Sequence, residues 1–346
     1  MNTNQSGGIK AANFYELLQV RPGADLEVIE AAFRARMRTL RLAGSTVPSD
    51  IELAQRLAEA HRTLTDPNTR NCYDESLKVP DPRSVGSYRI VERIAESGNC
   101  YVYRGEHELN GEPACIKHCY LLTAAAQEGL LRESRTLAAL RHFCLPVFRD
   151  VVRMADGSHA VIMSFASGAT LEDYVRTSGG KISPIEAAWI VDRVLNALLN
   201  LAHVHQKVHC DLNPKNVIIE PKKHGLTLVG FGHAVSAGQV AQSRNDLFSS
   251  PEQLAGEAVF TEADLFSLGW LSVFMLGGTV SLKRREIPGD TPPAMARFIG
   301  RLIDPDPDQR ASWGQENLCE TWSQVRLSSF GFVNTSIGPD GQTEEV

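Results

Sequence analysis

The stretch 208–216, reading VHCDLNPKN, limits what the chain around it can be. Upstream, residues 190–204 (IVDRVLNALLNLAHV) repeat apolar side chains at helical spacing. Downstream, 217–219 is a β-branched run of the kind buried as a strand. A loop between helix and strand therefore carries Asp211, Pro214, Lys215 and Asn216 close together. Asp211 is placed to accept a proton from a hydroxyl nucleophile. Asn216, five residues on, is placed to face a metal held against polyphosphate oxygens, and phosphoryl transfer divides its labour in that way.

Composition narrows the setting. A length of 346 residues implies about two domains, and 43% hydrophobic residues can bury a sizeable core. A formal charge of -6 offers no basic field for nucleic acid, so none is expected as a partner. Cysteines at 72, 100, 115, 119, 144, 210 and 319 form no CxxC pair. Neither a disulfide framework nor a zinc site is implied, and a reducing cytoplasm fits. The first ten residues, MNTNQSGGIK, lack the apolar core of a signal peptide. The uncharged run 265–282 is interrupted by Ser267, Gly269, Ser272, Gly277, Gly278, Thr279 and Ser281, with Asp264 at its mouth. It is expected to be a buried helix and not a membrane span.

Residues 1–11 are polar and expected to be loose. Short helical periodicity follows over 13–20, then a long stripe over 25–42 through Val28, Ile29, Ala32, Phe33, Met37 and Leu40. A further stripe over 50–64 uses Leu53, Leu57, Ala60 and Leu64. Asp66 and Pro67 supply a cap and first-turn proline for a last helix through Tyr73. Through NFYELLQV, AAFRAR and LAEAHRTLTDPNTRNCYD, residues 12–79 resemble a J domain. J domains stimulate the ATPase of a heat-shock chaperone through a His-Pro-Asp loop, and helix register puts Arg41, Leu42 and Ala43 there. The resemblance therefore implies a module that docks or organises proteins without activating a chaperone. Residues 80–87 (PDPRSVGS) are expected to be a linker.

From Tyr88 the pattern changes to alternation and predicts three antiparallel strands, with turns at Ser97 and Gly98 and at Asn110 and Gly111. With His209, Cys210, Asp211 and Asn216 on the His-Arg-Asp-(four residues)-Asn pattern, residues 88–326 resemble a protein kinase. The fold class implied is α+β: a bilobed protein kinase-like fold with an antiparallel β N-lobe (88–165) and a helical C-lobe (166–326). The small helical J-like domain precedes it, and a mobile tail (327–346) follows. The resemblance makes Lys117, in ACIK, the phosphate-pairing lysine and Glu133 its ionic partner. It places the glycine-rich-loop positions at Ala95, Ser97 and Cys100, with Gly98 between them, and the gatekeeper at Met163. It lines an adenine slot with Val102 and Cys115 above and Ile218 below. Asp264 would hold the catalytic-loop backbone, and Arg310 would pair with Glu252.

The departures all lie at the phosphate end. Gly230 stands before Phe231 and Gly232 where the family has a magnesium-chelating aspartate, leaving Asn216 alone to face a metal. Cys210 replaces an arginine, Asn213 replaces a lysine, and the connection 278–295 is short for a substrate-docking helix. Loss of this charge stabilisation, typically several kcal/mol at about 1.4 kcal/mol per tenfold in rate, predicts severely slowed transfer. The expectation is a signalling or scaffolding pseudokinase that binds ATP weakly or without metal, with magnesium weak or absent. Its protein partners would be reached through both the kinase-like and the J-like regions. The alternatives are an active atypical serine/threonine protein kinase and a chaperone-linked adaptor without nucleotide. An aspartate restored at Gly230 should create or greatly raise activity if the geometry is otherwise sound.

Overall fold

The computed structural model describes residues 13–21, 23–42, 48–78, 82–97, 99–221, 224–242, 245, 247–280, 285–311, 317–331, 336–337 and 343–344. They fall into two compact units. One comprises the residues up to Leu131 with Asp150–Ile162, the other Arg132–Arg149 with the residues from Met163 on.

The first unit opens with helices α1 (Phe14–Leu18), α2 (Leu26–Leu42), α3 (Pro48–Thr65) and α4 (Pro67–Lys78). A capping box between Asn13 and Glu16 starts α1. Asp66 starts α4 by accepting the Thr69 amide at 2.8 Å. The stripe over 50–64 turns inward, with Leu57, Ala60 and Leu64 buried and Leu53 half-buried. Of the stripe over 25–42 only Ile29 is buried; Ala32, Phe33, Met37 and Leu40 are half-buried and Val28 is exposed. The Phe14 ring stacks on Tyr73 at 4.6 Å between centroids, and its amide donates to the Tyr73 hydroxyl at 2.8 Å. The last helix runs beyond Tyr73 to Lys78. Of the loop expected to carry His-Pro-Asp, residues 43–47 and the side chains of Arg41 and Leu42 lie outside the described residues.

Strands β1 (Ser84–Val85), β2 (Tyr88–Ser97), β3 (Cys100–His107) and β4 (Pro113–Cys119) lead into α5 (Ala124–Ala139), β5 (Phe148–Arg153) and β6 (His159–Ser164). They form a six-stranded sheet in the order β1-β2-β3-β4-β6-β5. The alternation from Tyr88 marks β2 to β4, which pair antiparallel. The linker reading needs correction: Ser84 and Val85 pair with Arg89 and Tyr88 as an edge strand. Helices and sheet fall in one compact unit. Aromatic packing is the reason. Tyr120 lies against Tyr73 of α4 and Tyr101 of β3, at 6.1 and 4.4 Å between centroids, and the Ser76 and Tyr101 hydroxyls bond at 3.2 Å.

The second unit carries β7 (Ala169–Thr170), α6 (Leu171–Thr177), α7 (Pro184–His205), β8 (Lys207–Val208), a 3-10 turn (Pro214–Asn216), β9 (Val217–Glu220) and β10 (Gly225–Leu228). A second 3-10 turn (Phe231–His233), β11 (Val235–Ser236), β12 (Gln239–Val240), α8 (Pro251–Ala255) and β13 (Ala258–Val259) follow. The chain then runs through α9 (Thr261–Met275), α10 (Pro293–Leu302), α11 (Pro307–Ala311) and α12 (Leu318–Phe330). Ser183 and Glu186 box the start of α7, with Pro184 in its first turn. Helix α9 is buried on every side from Ala263 to Met275, the environment that its uncharged sequence requires. Among the described residues, no helix is long and apolar enough to cross a membrane. Helix α12 continues past 326 to Phe330, so the mobile tail placed from 327 begins too early; most of its remainder lies outside the described residues.

Candidate functional site

Between α7 and β9 the chain makes the loop that the sequence singles out, and buried polar groups hold it from several sides. The Asp264 carboxylate on α9 accepts the backbone N–H groups of His209 at 2.6 Å and Cys210 at 2.9 Å. Burial drives the Asp264 carboxyl up to about 7, against those two hydrogen bonds and with a small addition from Asp211. Cys210 lies in the left-handed region at φ 63, a strained conformation for a side chain larger than glycine. Its carbonyl accepts the Gln253 amide at 2.7 Å, so the strained peptide is gripped on both faces.

His209 is fully buried. Its Nδ1 accepts the Asp211 N–H at 3.2 Å, which assigns the ring proton to Nε2, the donor to the Val229 carbonyl at 3.0 Å. Burial pushes its pKa down to about 4, so the ring is neutral near pH 7. Phe231 meets it edge-on at 4.8 Å.

Asp211 is braced by two asparagines. Asn213 donates to its Oδ1 at 3.1 Å, and Asn216 donates to its Oδ2 at 2.9 Å and to its carbonyl at 2.7 Å. Asn213 also accepts the Lys215 amide at 3.0 Å, an Asx-type cap that starts the 3-10 turn. The sequence marks Asn213 only as a missing lysine, and it does not mark Gln253 at all. The Asx-Pro pair Asn213-Pro214 is the signal from which the first could have been found, whereas a glutamine on a distant helix signals nothing alone.

Gly230 stands beside this brace with φ +88. A Cβ there would meet Asn216 Cγ and Oδ1 at 2.6 Å and Nδ2 at 2.7 Å. The left-handed backbone is one that aspartate adopts more readily than most residues. The space is the difficulty, because a restored carboxylate must first displace the amide that holds Asp211. The expectation that aspartate at this position simply restores activity therefore meets an obstacle that the sequence does not reveal.

The donor set does not fit a divalent ion anchored by protein carboxylate. Both oxygens of Asp211 accept amide hydrogens, and position 230 offers only backbone. Among the described residues no group of three His, Cys, Asp or Glu side chains is placed to hold a metal.

In the first unit, β3 and β4 present two different faces. Tyr101, Tyr103, Ile116 and His118 are buried on one; Val102, Cys115 and Lys117 are half-buried on the other, with Val102 directly opposite Lys117. The residues expected above an adenine ring thus share a face with the lysine expected to reach its phosphates. Ala95 pairs with Val102, and Ser97 with Cys100, so the strand ladder runs up to the turn itself. Gly98 lies outside the described residues.

In the second unit, Met163 is buried at the end of β6 and Glu133 is buried on α5, while Ile218 is half-buried between Thr170 and Thr227. Gly168, at φ +119, approaches β9 so closely that a Cβ would lie 2.1 Å from the Ile219 carbonyl oxygen. Arg310 donates from one nitrogen to both oxygens of Glu252 at 2.7 Å, buried and stacked 4.9 Å above the Phe266 ring.

Comparison with known proteins matches residues 88–323 to the protein kinase domain. The chain is 27% identical over 228 residues to serine/threonine-protein kinase PrkC of Bacillus subtilis, covering 61% of this chain and 35% of that protein. It is 29% identical over 272 residues to serine/threonine-protein kinase pkn2 of Myxococcus xanthus, covering 67% and 31%. It is 28% identical over 265 residues to a CDPK-related protein kinase of Daucus carota, covering 68% and 44%. The chain thus spans between about a third and under a half of the length of these relatives. With well over half of its residues matched, and with the catalytic-loop bracing just described, the chain belongs to the protein kinase domain family.

Proposed function

We propose that the chain is a kinase-fold signalling or scaffolding protein that takes up a nucleotide but transfers phosphate poorly, in the manner of a pseudokinase. The observation that carries this reading is Gly230, with the Asn216 side chain occupying the space a metal-binding carboxylate would need. Triphosphate charge then loses the carboxylate-held metal of the family, and Lys117, which shares a strand face with Val102 and Cys115, is the cation that offsets it. The J-like helices α1 to α4 serve as a second surface for protein partners. Without His-Pro-Asp they dock rather than stimulate.

A second reading, an active atypical serine/threonine kinase, is favoured by one specific feature. Asp211 keeps its full set of supports in His209, Asn213, Asn216 and the backbone held by Asp264. PrkC of Bacillus subtilis and pkn2 of Myxococcus xanthus, themselves serine/threonine-protein kinases, favour it too.

Thermal-shift titration with ATP separates the two, since a ligand bound to the native state raises Tm with its concentration. The expected result is a rise in Tm that is indifferent to magnesium and lost in Lys117→Met. Magnesium-dependent transfer of the γ-phosphate by the wild-type protein would establish the second reading instead. Gly230→Asp sharpens the same test. Displacing Asn216 and straining position 230 should cost about 1–3 kcal/mol in Tm-derived stability, while the added carboxylate should make the ATP shift depend on magnesium. An ATP shift that stays indifferent to magnesium in this variant would mean that the bare position is not what limits metal binding.

A further inference from the structure

We propose that Cys100 and Cys119 form a dithiol site that a peroxide-class oxidant converts to a cross-strand disulfide. The sequence scatters seven cysteines without a CxxC pair, so the partnership is invisible until β3 and β4 are aligned; their register then places Cys100 directly opposite Cys119. Residues directly opposite in an antiparallel pair have Cα atoms about 4.5–5.5 Å apart, inside the roughly 4.4–6.8 Å that a disulfide spans. Opposed residues also point to the same face, and the two thiols are already hydrogen-bonded to each other.

Reactivity is distributed unevenly among the buried thiols. Cys119 is held below the ordinary thiol range, first by the hydrogen bond from Cys100 and, against the opposing effect of burial, by the Leu121 backbone and the Lys117 charge. Its sulfur lies 3.5 Å from the Leu121 carbonyl. Cys144, by contrast, is pushed up to about 12 by burial, and Cys210 is also pushed up by burial. Cys100 is buried but adjoins the exposed Asn99 in the turn between β2 and β3, so of the two thiols it lies beside solvent-exposed chain.

The chemistry balances in two steps. The Cys119 thiolate attacks one oxygen of hydrogen peroxide, the O–O bond breaks, and hydroxide leaves with a sulfenic acid formed on Cys119. Cys100, giving up its proton, then attacks the Cys119 sulfur and the S–O bond breaks, releasing water. Two thiols supply two electrons, and the peroxide is reduced to two waters. The bond ties β3 to β4 two residues from Lys117 on the same face, which gives it a bearing on nucleotide uptake. The site itself does not depend on that uptake.

The test is peptide mapping of the reduced full-length chain after treatment with hydrogen peroxide, alkylation and proteolysis without reductant. The expected outcome is a Cys100–Cys119 linked peptide, with loss of two of the seven alkylatable thiols, restored by dithiothreitol and abolished in Cys119→Ala. The proposal is overturned if Cys119 proceeds to sulfinic acid while Cys100 still alkylates. It is equally overturned if a different cysteine pair or an intermolecular disulfide forms first. The linked peptide is read by mass in the wild-type chain, so neither the folding of a variant nor the nucleotide reading can produce a false result.

Discussion

The loop that carries Asp211 and the turn that precedes Cys100 are organised by different physics. In the loop, nearly every polar group is fixed by another. Asp264 grips two amides, Gln253 grips the strained carbonyl of Cys210, and two asparagines brace the carboxylate of Asp211. Around the turn, the positions where the family places small residues carry Ala95, Ser97 and Cys100. The supports there are aromatic, through Tyr101, Tyr120 and Tyr73, and the last belongs to a helix outside the kinase-matched residues. Geometry has thus been kept where it holds backbone, and the phosphate-side chemistry has been thinned at the turn and at Gly230.

The largest test of the rigid region is Arg310→Ala. It leaves the Glu252 carboxylate buried without the guanidinium that now contacts both of its oxygens at 2.7 Å. Breaking a buried pair in this way costs about 3–5 kcal/mol, to be read as a fall in denaturant midpoint at unchanged slope. A loss under about 1 kcal/mol would put this pair in the class of surface ion pairs and remove the contrast between the two regions.

A smaller effect comes from pH. His209 titrates near 4 when folded and near 6.5 when unfolded, so between those values the unfolded chain binds more protons. The stability contributed by neutral His209 is complete above about pH 6.5 and declines as pH falls toward 4. From pH 7 to 4.5 the loss attributable to this ring is about 2–3 kcal/mol. His209→Leu should lower stability at neutral pH by removing two hydrogen bonds, yet show a shallower decline with acid. It is the slope of Tm against pH that decides: equal slopes in variant and wild type would mean that the buried ring does not titrate as its environment demands.

Legibility in the sequence followed the range of the interactions. Helical stripes, the alternation from Tyr88 and the short loop motif are local patterns, and each identified its element; Asp264 and Arg310 followed from motif order. What stayed hidden was non-local. The strand at Ser84 and Val85 exists only through pairing with β2, and the joining of α4 to the sheet needs Tyr73, Tyr101 and Tyr120 together. The clash awaiting any side chain at Gly230 depends on the rotamer of Asn216. Chemistry-bearing residue types were visible, whereas the space around them was not.

The smallest test addresses the aromatic side of the comparison. Ser76 of α4 and Tyr101 of β3 share a hydrogen bond at 3.2 Å in a partly buried setting. A neutral bond of this kind contributes about 0.5–1.5 kcal/mol. Ser76→Ala and Tyr101→Phe should each lower stability by about 1 kcal/mol or less. The double variant should cost no more than the larger single one, because both changes remove the same bond while the ring contact of Tyr101 with Tyr120 survives. Additive losses would show that the hydroxyls act independently and that ring packing alone joins helix to sheet. A loss approaching that of Arg310→Ala would show instead that the sheet around the turn is held as firmly by polar groups as the loop around Asp211. In that case, thinning of the phosphate-side chemistry could not be ascribed to a weaker local scaffold.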